Sequence, residues 1–366
     1  MHNTPVYNKV IVIAPTSSQP RYHKRVSQIA KFYPVDVFAF SRGYYNENTF
    51  PGDVRFFGLG KIDDGKYLER IPRFISAILK IRSHLVKKRS LFYAMSFDCM
   101  LIARLCGIKR GFYEIGDLRQ AEGFGKSLSW FERFLLRSIS GLVLTSEYFY
   151  EDFYKKKDLL PEEKVFVIDN KVNQALARKR PGKKVFSQKR IIIGLVGLLR
   201  YQRPIELLLD FVQSQGDYFI VECFGDGPLR GLIESRQCEN IRYHGSFRNP
   251  HDIPVIYEQI DLNYVVYDAS STNVRLAIPN KLFESAFFGV PIVCCAGTAV
   301  GKKACEWGIG KMVRIDSRRN FELDLSTIDR PWIAACTKNC FGIPDSELID
   351  NGEQIVQRML RQVGNM

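Results

Sequence analysis

The sequence has 366 residues, 46% of them hydrophobic, enough for two globular domains with sizeable cores. Its 53 Lys and Arg against 39 Asp and Glu are unevenly spread: residues 1–170 hold 27 basic and 18 acidic, 171–190 eight basic and no acid, 191–366 18 basic and 21 acidic. No apolar run reaches the ~20 residues that span a bilayer, Met1–Ala14 lacks the pattern of a secretory signal, and nine scattered cysteines read as reduced cytosolic thiols.

In chain order, 10–14 is an apolar strand ending in the loop Pro15-Thr16-Ser17-Ser18. A helical pattern over 21–32 and an alternating strand over 35–40 follow. Strand, loop, helix, strand opens a Rossmann-like unit, whose ligand crevice lies at the strand C-termini. The loop has no Gly-x-Gly-x-x-Gly, which disfavours a dinucleotide. A helix over 67–89 sets Phe74, Ile75, Ile78, Leu79, Ile81 and Leu85 among basic residues that include Lys87, Lys88 and Arg89. That pattern suits anionic lipid, and equally a sheet-packed helix with a solvated basic face.

Strands over 91–95, 111–115, 142–145 and 165–168 complete the first sheet, with a helix over 99–106. The strand 111–115 runs into Gly116-Asp117, which puts Glu114 and Asp117 at a strand C-terminus. Residues 127–140 interleave Trp130, Phe131, Phe134 and Leu135 with Arg133 and Arg137, a second candidate interface. The acid-free stretch 171–189, with Pro181-Gly182-Lys183-Lys184, reads as a basic linker between a domain over 1–170 and one over 190–344. It is too short and mixed for a nucleic-acid tail.

In the second half, strands over 191–196, 218–224, 241–244, 262–266 and 290–295 alternate with helices over 204–212, 252–259 and 279–288, which argues a parallel sheet. A C-terminal helix within 345–366 is expected to pack back toward the first domain. Two turns carry glycine, Gly197 to Arg203 and Gly225-Asp226-Gly227-Pro228, and a polar loop holds Ser270-Ser271-Thr272-Asn273. The stretch Pro279 to Val293 reads as helix, turn, strand, with Gly289 and Pro291 ending the helix. Lys281 stands in its first turn, where free N–H groups welcome an anion. Glu284 is placed to accept two hydrogen bonds from a diol such as a ribose. The plainer reading is a solvated helix whose Glu complements the dipole.

Pro279 to Val293 resembles the donor-site signature of family 4 glycosyltransferases, which have the GT-B fold, and residues 190–315 fit that family's C-terminal domain element by element. The resemblance implies an α/β chain of two Rossmann-like domains with parallel sheets facing across a cleft, the first binding acceptor and the second a nucleotide sugar. It implies that Glu284 holds the ribose and that Gly225-Asp226-Gly227 border the base. Arg203 stands where the family usually has Lys, and Leu276 replaces the first Glu of its Glu-x7-Glu pattern, with Arg275 beside it as a partial substitute. The segment QPRYHKRVSQIA resembles the family's first helix, which would set Arg21 and His23 near the cleft.

Glycosyl transfer passes through an oxocarbenium-like transition state and loads charge on the leaving diphosphate. Without a metal, cations, backbone N–H groups and helix N-termini must meet that charge. The chain has no Asp-x-Asp, and neither Cys336-x3-Cys340 nor its five histidines form a metal motif. Arg203 and Lys281 are the expected cations, in a donor site of Gly197, Arg200, Gly225, Asp226, Gly227, Ser271, Thr272, Asn273, Asn280 and Glu284. Asp117, Glu114 and His23 are the candidates for a general base. A retaining enzyme of the family type needs no such base, because the leaving phosphate takes the acceptor proton.

The expected function is transfer of a sugar to a glycan or lipid-linked acceptor in cell-surface polysaccharide synthesis, retaining, with no metal or cofactor. The expected location is cytoplasmic, on the anionic inner face of the plasma membrane, with no nucleic-acid partner. Two alternatives stay open. A nucleotide-sugar 2-epimerase shares the architecture but needs several acidic and His groups around the sugar. A non-catalytic nucleotide-sugar or nucleic-acid binding protein would account for the missing first Glu.

Overall fold

Both halves of the chain alternate short apolar strands with helices, and in both the strands pair in parallel. The computed structural model describes residues 7–41, 50, 53–62, 70–85, 89–118, 124–182, 190–215 and 218–364, without the side chains of 124–129 and 364. Met1–Asp169 with Asn351–Met366 form one compact unit, and Asn170–Asp350 form another.

In the first unit the strands are Lys9–Ala14 (β1), Val35–Ser41 (β2), Arg55–Lys61 (β3), Ser90–Ala94 (β4), Gly111–Ile115 (β5), Gly141–Leu144 (β6) and Val165–Val167 (β7). They order as β3-β2-β1-β4-β5-β6-β7, so the chain reverses direction across the sheet between β1 and β4. Such a reversal opens a crevice beyond the strand C-termini. The helices Pro20–Ala30 and Gly352–Gly364 share one core with Val10, Val12, Val37 and Tyr93. The helices Ile71–His84, Phe97–Leu105 and Phe124–Leu136 neighbour one another: Cys106 Sγ lies 3.7 Å from Ile78 O, and the rings of Phe97 and Phe131 are 6.4 Å apart. Phe74 and His84 meet Phe40 and Phe38, on the other face of the sheet from Val37.

In the second unit the strands are Ile191–Leu198 (β8), Phe219–Asp226 (β9), Ile241–Gly245 (β10), Leu262–Val265 (β11), Ile292–Cys295 (β12) and Gly310–Val313 (β13). Their order is β10-β9-β8-β11-β12-β13, with the reversal between β8 and β11. One face packs on Phe211, Phe321 and Ile333 from three helices. The helices Ile253–Gln259 and Asn280–Phe288 meet through stacked rings of Tyr257 and Phe288. Gly289, left-handed at φ 70°, ends the latter helix before Pro291 as its sequence requires.

Three expectations change. The edge strands β3 and β13 were not among the predicted elements; β3 is mostly exposed and carries two glycines, so no apolar run marks it. The described part of the expected linker, 171–182, is packed into the second unit: Val172 pairs with Ile349, Gln174 donates to Asp350 O at 2.8 Å, and Arg180 donates to Ile343 O at 2.9 Å. Lys183 to Lys189, and Lys87 and Lys88, lie outside the described residues. The C-terminal stretch divides: Asp345–Leu348 belongs to the second unit, while Gly352–Gly364 packs in the first, with an ion pair between Lys31 and Glu353.

Candidate functional site

The C-terminal ends of β8 and β9 run in register from Val196 beside Phe224 to Leu198 beside Asp226. Glycine is required there. A Cβ on Gly225 would fall 1.8 Å from Gly197 O, and one on Gly227 would fall 2.5 Å from Leu199 O, both at positive φ. Asp226 Oδ1 accepts from Gly227 N at 2.8 Å, and Tyr243 OH donates to Gly225 O at 3.0 Å. The two loops therefore present close-packed backbone at the sheet reversal.

The helix Asn280–Phe288 begins beside these loops. Lys281 and Glu284 are each only 6% exposed and pair at 2.8 Å. The Lys281 stem reaches β8, its Cε lying 3.6 Å from where a Gly197 Cβ would stand. Asn280 Nδ2 donates to Glu284 Oε1 at 2.7 Å, and Tyr257 OH donates to Oε2 at 3.0 Å. Asn263, fully buried on β11, donates to Tyr257 OH and to Ser285 Oγ at 3.0 and 2.8 Å. Burial, and then the charge of Glu284, pushes the Tyr257 phenol well above its ordinary pKa, so it stays a donor. A carboxylate has about four acceptor positions, and three are filled here.

Other predicted donor residues are engaged elsewhere. Arg203 donates to the carbonyls of Ile315 and Asp316 at 2.8 and 2.9 Å, beyond the end of β13, instead of pointing a free guanidinium at the Gly197 turn. Arg200 donates to Tyr201 OH at 2.8 Å, and Tyr201 stacks on Tyr267. Ser271 caps the short helix Thr272–Leu276, which also holds Asn273. Arg275 donates to Thr272 Oγ1 and to the carbonyls of Ala269 and Ser270, so its fork serves its own loop and not the place of the missing Glu.

In the first unit, Glu114 is not available as a base. It is 1% exposed, accepts from Arg25 Nε at 2.8 Å and Tyr93 OH at 2.5 Å, and lies 3.7 Å from Arg21. Burial alone would raise its pKa; the charges of Arg25 and Arg21 and these hydrogen bonds outweigh it and hold the carboxyl below its ordinary value. Mid-strand alternation turns the side chain under the helix Pro20–Ala30, where the strand end alone suggested solvent. His23 stacks on Phe50 and its Nε2 donates to Ser17 O at 2.6 Å, so one ring nitrogen is engaged by the loop after β1. Asp117 is exposed just past β5. Sequence reasoning passed over Tyr257, Asn263, Arg25 and Tyr93; an Asn inside the apolar run 262–266 was the available signal.

No protein-family model matches the chain. Succinoglycan biosynthesis protein ExoL of Rhizobium meliloti (strain 1021) is 23% identical over 319 residues, 80% of this chain and 78% of that protein. Among solved structures, HepE of Anabaena in complex with UDP and glucose superposes with a TM-score of 0.69 at 14% identity, over 98% of this chain and 100% of that one. Sucrose-phosphate synthase of Thermosynechococcus elongatus gives 0.70 at 15% identity, over 98% of each chain. The two parallel-sheet units thus have the fold of the GT-B glycosyltransferases.

Proposed function

We propose that this chain is a glycosyltransferase that moves a sugar from a nucleoside-diphosphate sugar to a glycan or lipid-linked acceptor in cell-surface polysaccharide synthesis. The observation that carries the reading is the buried Lys281–Glu284 pair beside the glycine loops of β8 and β9. Lys281 and the loop N–H groups meet the diphosphate, and Glu284 has acceptor capacity left for a ribose hydroxyl. The ExoL likeness supports the polysaccharide context, and the HepE likeness supports a UDP-sugar donor. In this reading Lys281 and backbone take the charge of the leaving group, and the reaction uses no divalent metal.

Glu284→Gln tests the donor site. A hydrogen bond to a charged group contributes about 1.5–3 kcal/mol, so UDP affinity should fall roughly ten- to a hundredfold. Calorimetry showing equal affinity in a folded variant would remove the assignment.

The acceptor side of the reading places the first unit on anionic membrane. Its helices Ile71–His84 and Phe124–Leu136 expose Ile75 (55%), Leu79 (63%), Trp130 (77%) and Phe134 (64%), among exposed Arg82, Arg133 and Arg137. Large apolar side chains beside basic ones fit a lipid interface with anionic headgroups. The location that follows is the inner face of the plasma membrane. Among the described residues no helix is long and apolar enough to cross a membrane.

A further inference from the structure

The first unit holds a cation whose surroundings are built around it. Arg21 opens the helix Pro20–Ala30 at the end of β1, and its guanidinium lies over Gly116 at the end of β5. A Cβ on Gly116 would stand 1.8 Å from Arg21 Nη1 and 2.2 Å from its Cζ. A side chain at position 116 would push the guanidinium out of this seat.

The seat holds Arg21 without consuming its donors. Glu114 Oε1 lies 3.7 Å from Arg21 Nε, too far for a hydrogen bond, and both atoms are buried without a hydrogen-bond partner among the described residues. Glu114 gives its better contacts to Arg25 and Tyr93. Arg21 makes one long hydrogen bond, Nη2 to Tyr22 OH at 3.4 Å, with the guanidinium 5.1 Å from that ring. The charge of exposed Asp117 also reaches it. The side chain is 18% exposed, so it is fixed from behind and open at one edge. Two cations thus share one buried carboxylate, and the outer cation keeps N–H capacity beyond its long bond to Tyr22, beside the end of β5.

A planar fork with spare N–H groups matches the paired oxygens of a phosphate. We propose that Arg21, seated on Gly116 and backed by Glu114 and Tyr22, receives a phosphate group of the acceptor. The word acceptor rests on the glycosyltransferase reading; the phosphate site itself does not. Arg25 and Tyr93 are positioning residues that hold Glu114 and, through it, Arg21.

The test is calorimetric titration of the full chain, first with UDP and then, at saturating UDP, with farnesyl diphosphate and separately with glucose 1-phosphate. At least one phosphate should bind, and its affinity should drop about ten- to a hundredfold in Arg21→Gln. Arg21→Lys, which keeps the charge and loses the fork, and Gly116→Ala, which keeps the arginine and fills its seat, should weaken it as well. Lys109→Gln, an exposed charge loss in the same unit, should bind as wild type, and all variants should keep wild-type UDP affinity. Binding of farnesyl diphosphate alone assigns a lipid-borne phosphate, and binding of glucose 1-phosphate assigns a soluble one. Failure of both probes to bind, Arg21 variants that bind as wild type, or equal weakening by Lys109→Gln would overturn the proposal. Absence of UDP binding would instead count against the donor reading and leave Arg21-dependent phosphate binding standing.

Discussion

Lys281→Met is the perturbation that most directly probes the buried pair in the second unit. Both side chains of the pair are less than a tenth exposed, at 7% and 8%. Removing one member of such a pair leaves the other charge buried, at about 3–5 kcal/mol. Glu284 keeps Asn280 and Tyr257 as donors, which puts the expected loss at the lower end, about 3 kcal/mol. For a unit of 150–250 residues each kcal/mol moves Tm by roughly 2–4 °C, so the transition of the second unit should fall by about 6–12 °C. Glu284→Gln in the same chain removes the stranded charge, and the double variant should recover part of the loss. Differential scanning calorimetry of the four proteins reads the cycle. UDP adds a second readout: a ligand at 100 times its Kd stabilises by about 2.7 kcal/mol, a gain that Lys281→Met should largely lose. A Tm within about 2 °C of wild type, or a double variant no more stable than Lys281→Met, would show that the pair is not desolvated and would refute the reasoning.

Two further outcomes are expected. Transfer activity should persist in excess EDTA, because the proposed mechanism sets Lys281 and the backbone at the ends of β8 and β9, with no metal, against the diphosphate; loss of activity restored by magnesium or manganese would contradict this. The protein should co-sediment with anionic vesicles and detach at high salt, and Trp130→Ser with Phe134→Ser should weaken binding because those side chains are 77% and 64% exposed. Equal binding to neutral and anionic vesicles, or none to either, would remove the membrane assignment.

The strands that carry both sheets were legible because they are buried on two faces and so read as unbroken apolar runs, as in 10–14 and 191–196. The two that escaped are edge strands, where one side faces solvent and the apolar signal thins. The helix holding Lys281 and Glu284 was legible because proline, glycine and a helical stripe punctuate it. Its partners were not: Tyr257 and Asn263 come from a neighbouring helix and strand, and only the sheet order brings them to Glu284. Glu114 shows the opposite failure. Its position along the strand was right, but the face it points to depends on pleat phase and on Arg25 arriving from 89 residues away.

The return of the chain at Asn351 has a consequence for the order of folding. Val356, Met359, Leu360 and Val363 fill the first unit's core, beside residues made more than 300 positions earlier. A ribosome adds about 5–20 residues per second, so the first sheet waits, with part of its apolar face uncovered, while all of Asn170–Asp350 is synthesised. The second unit has its whole sequence in hand by then. The half that is begun first is therefore the half that is finished last, and its open face is where a chaperone would be needed.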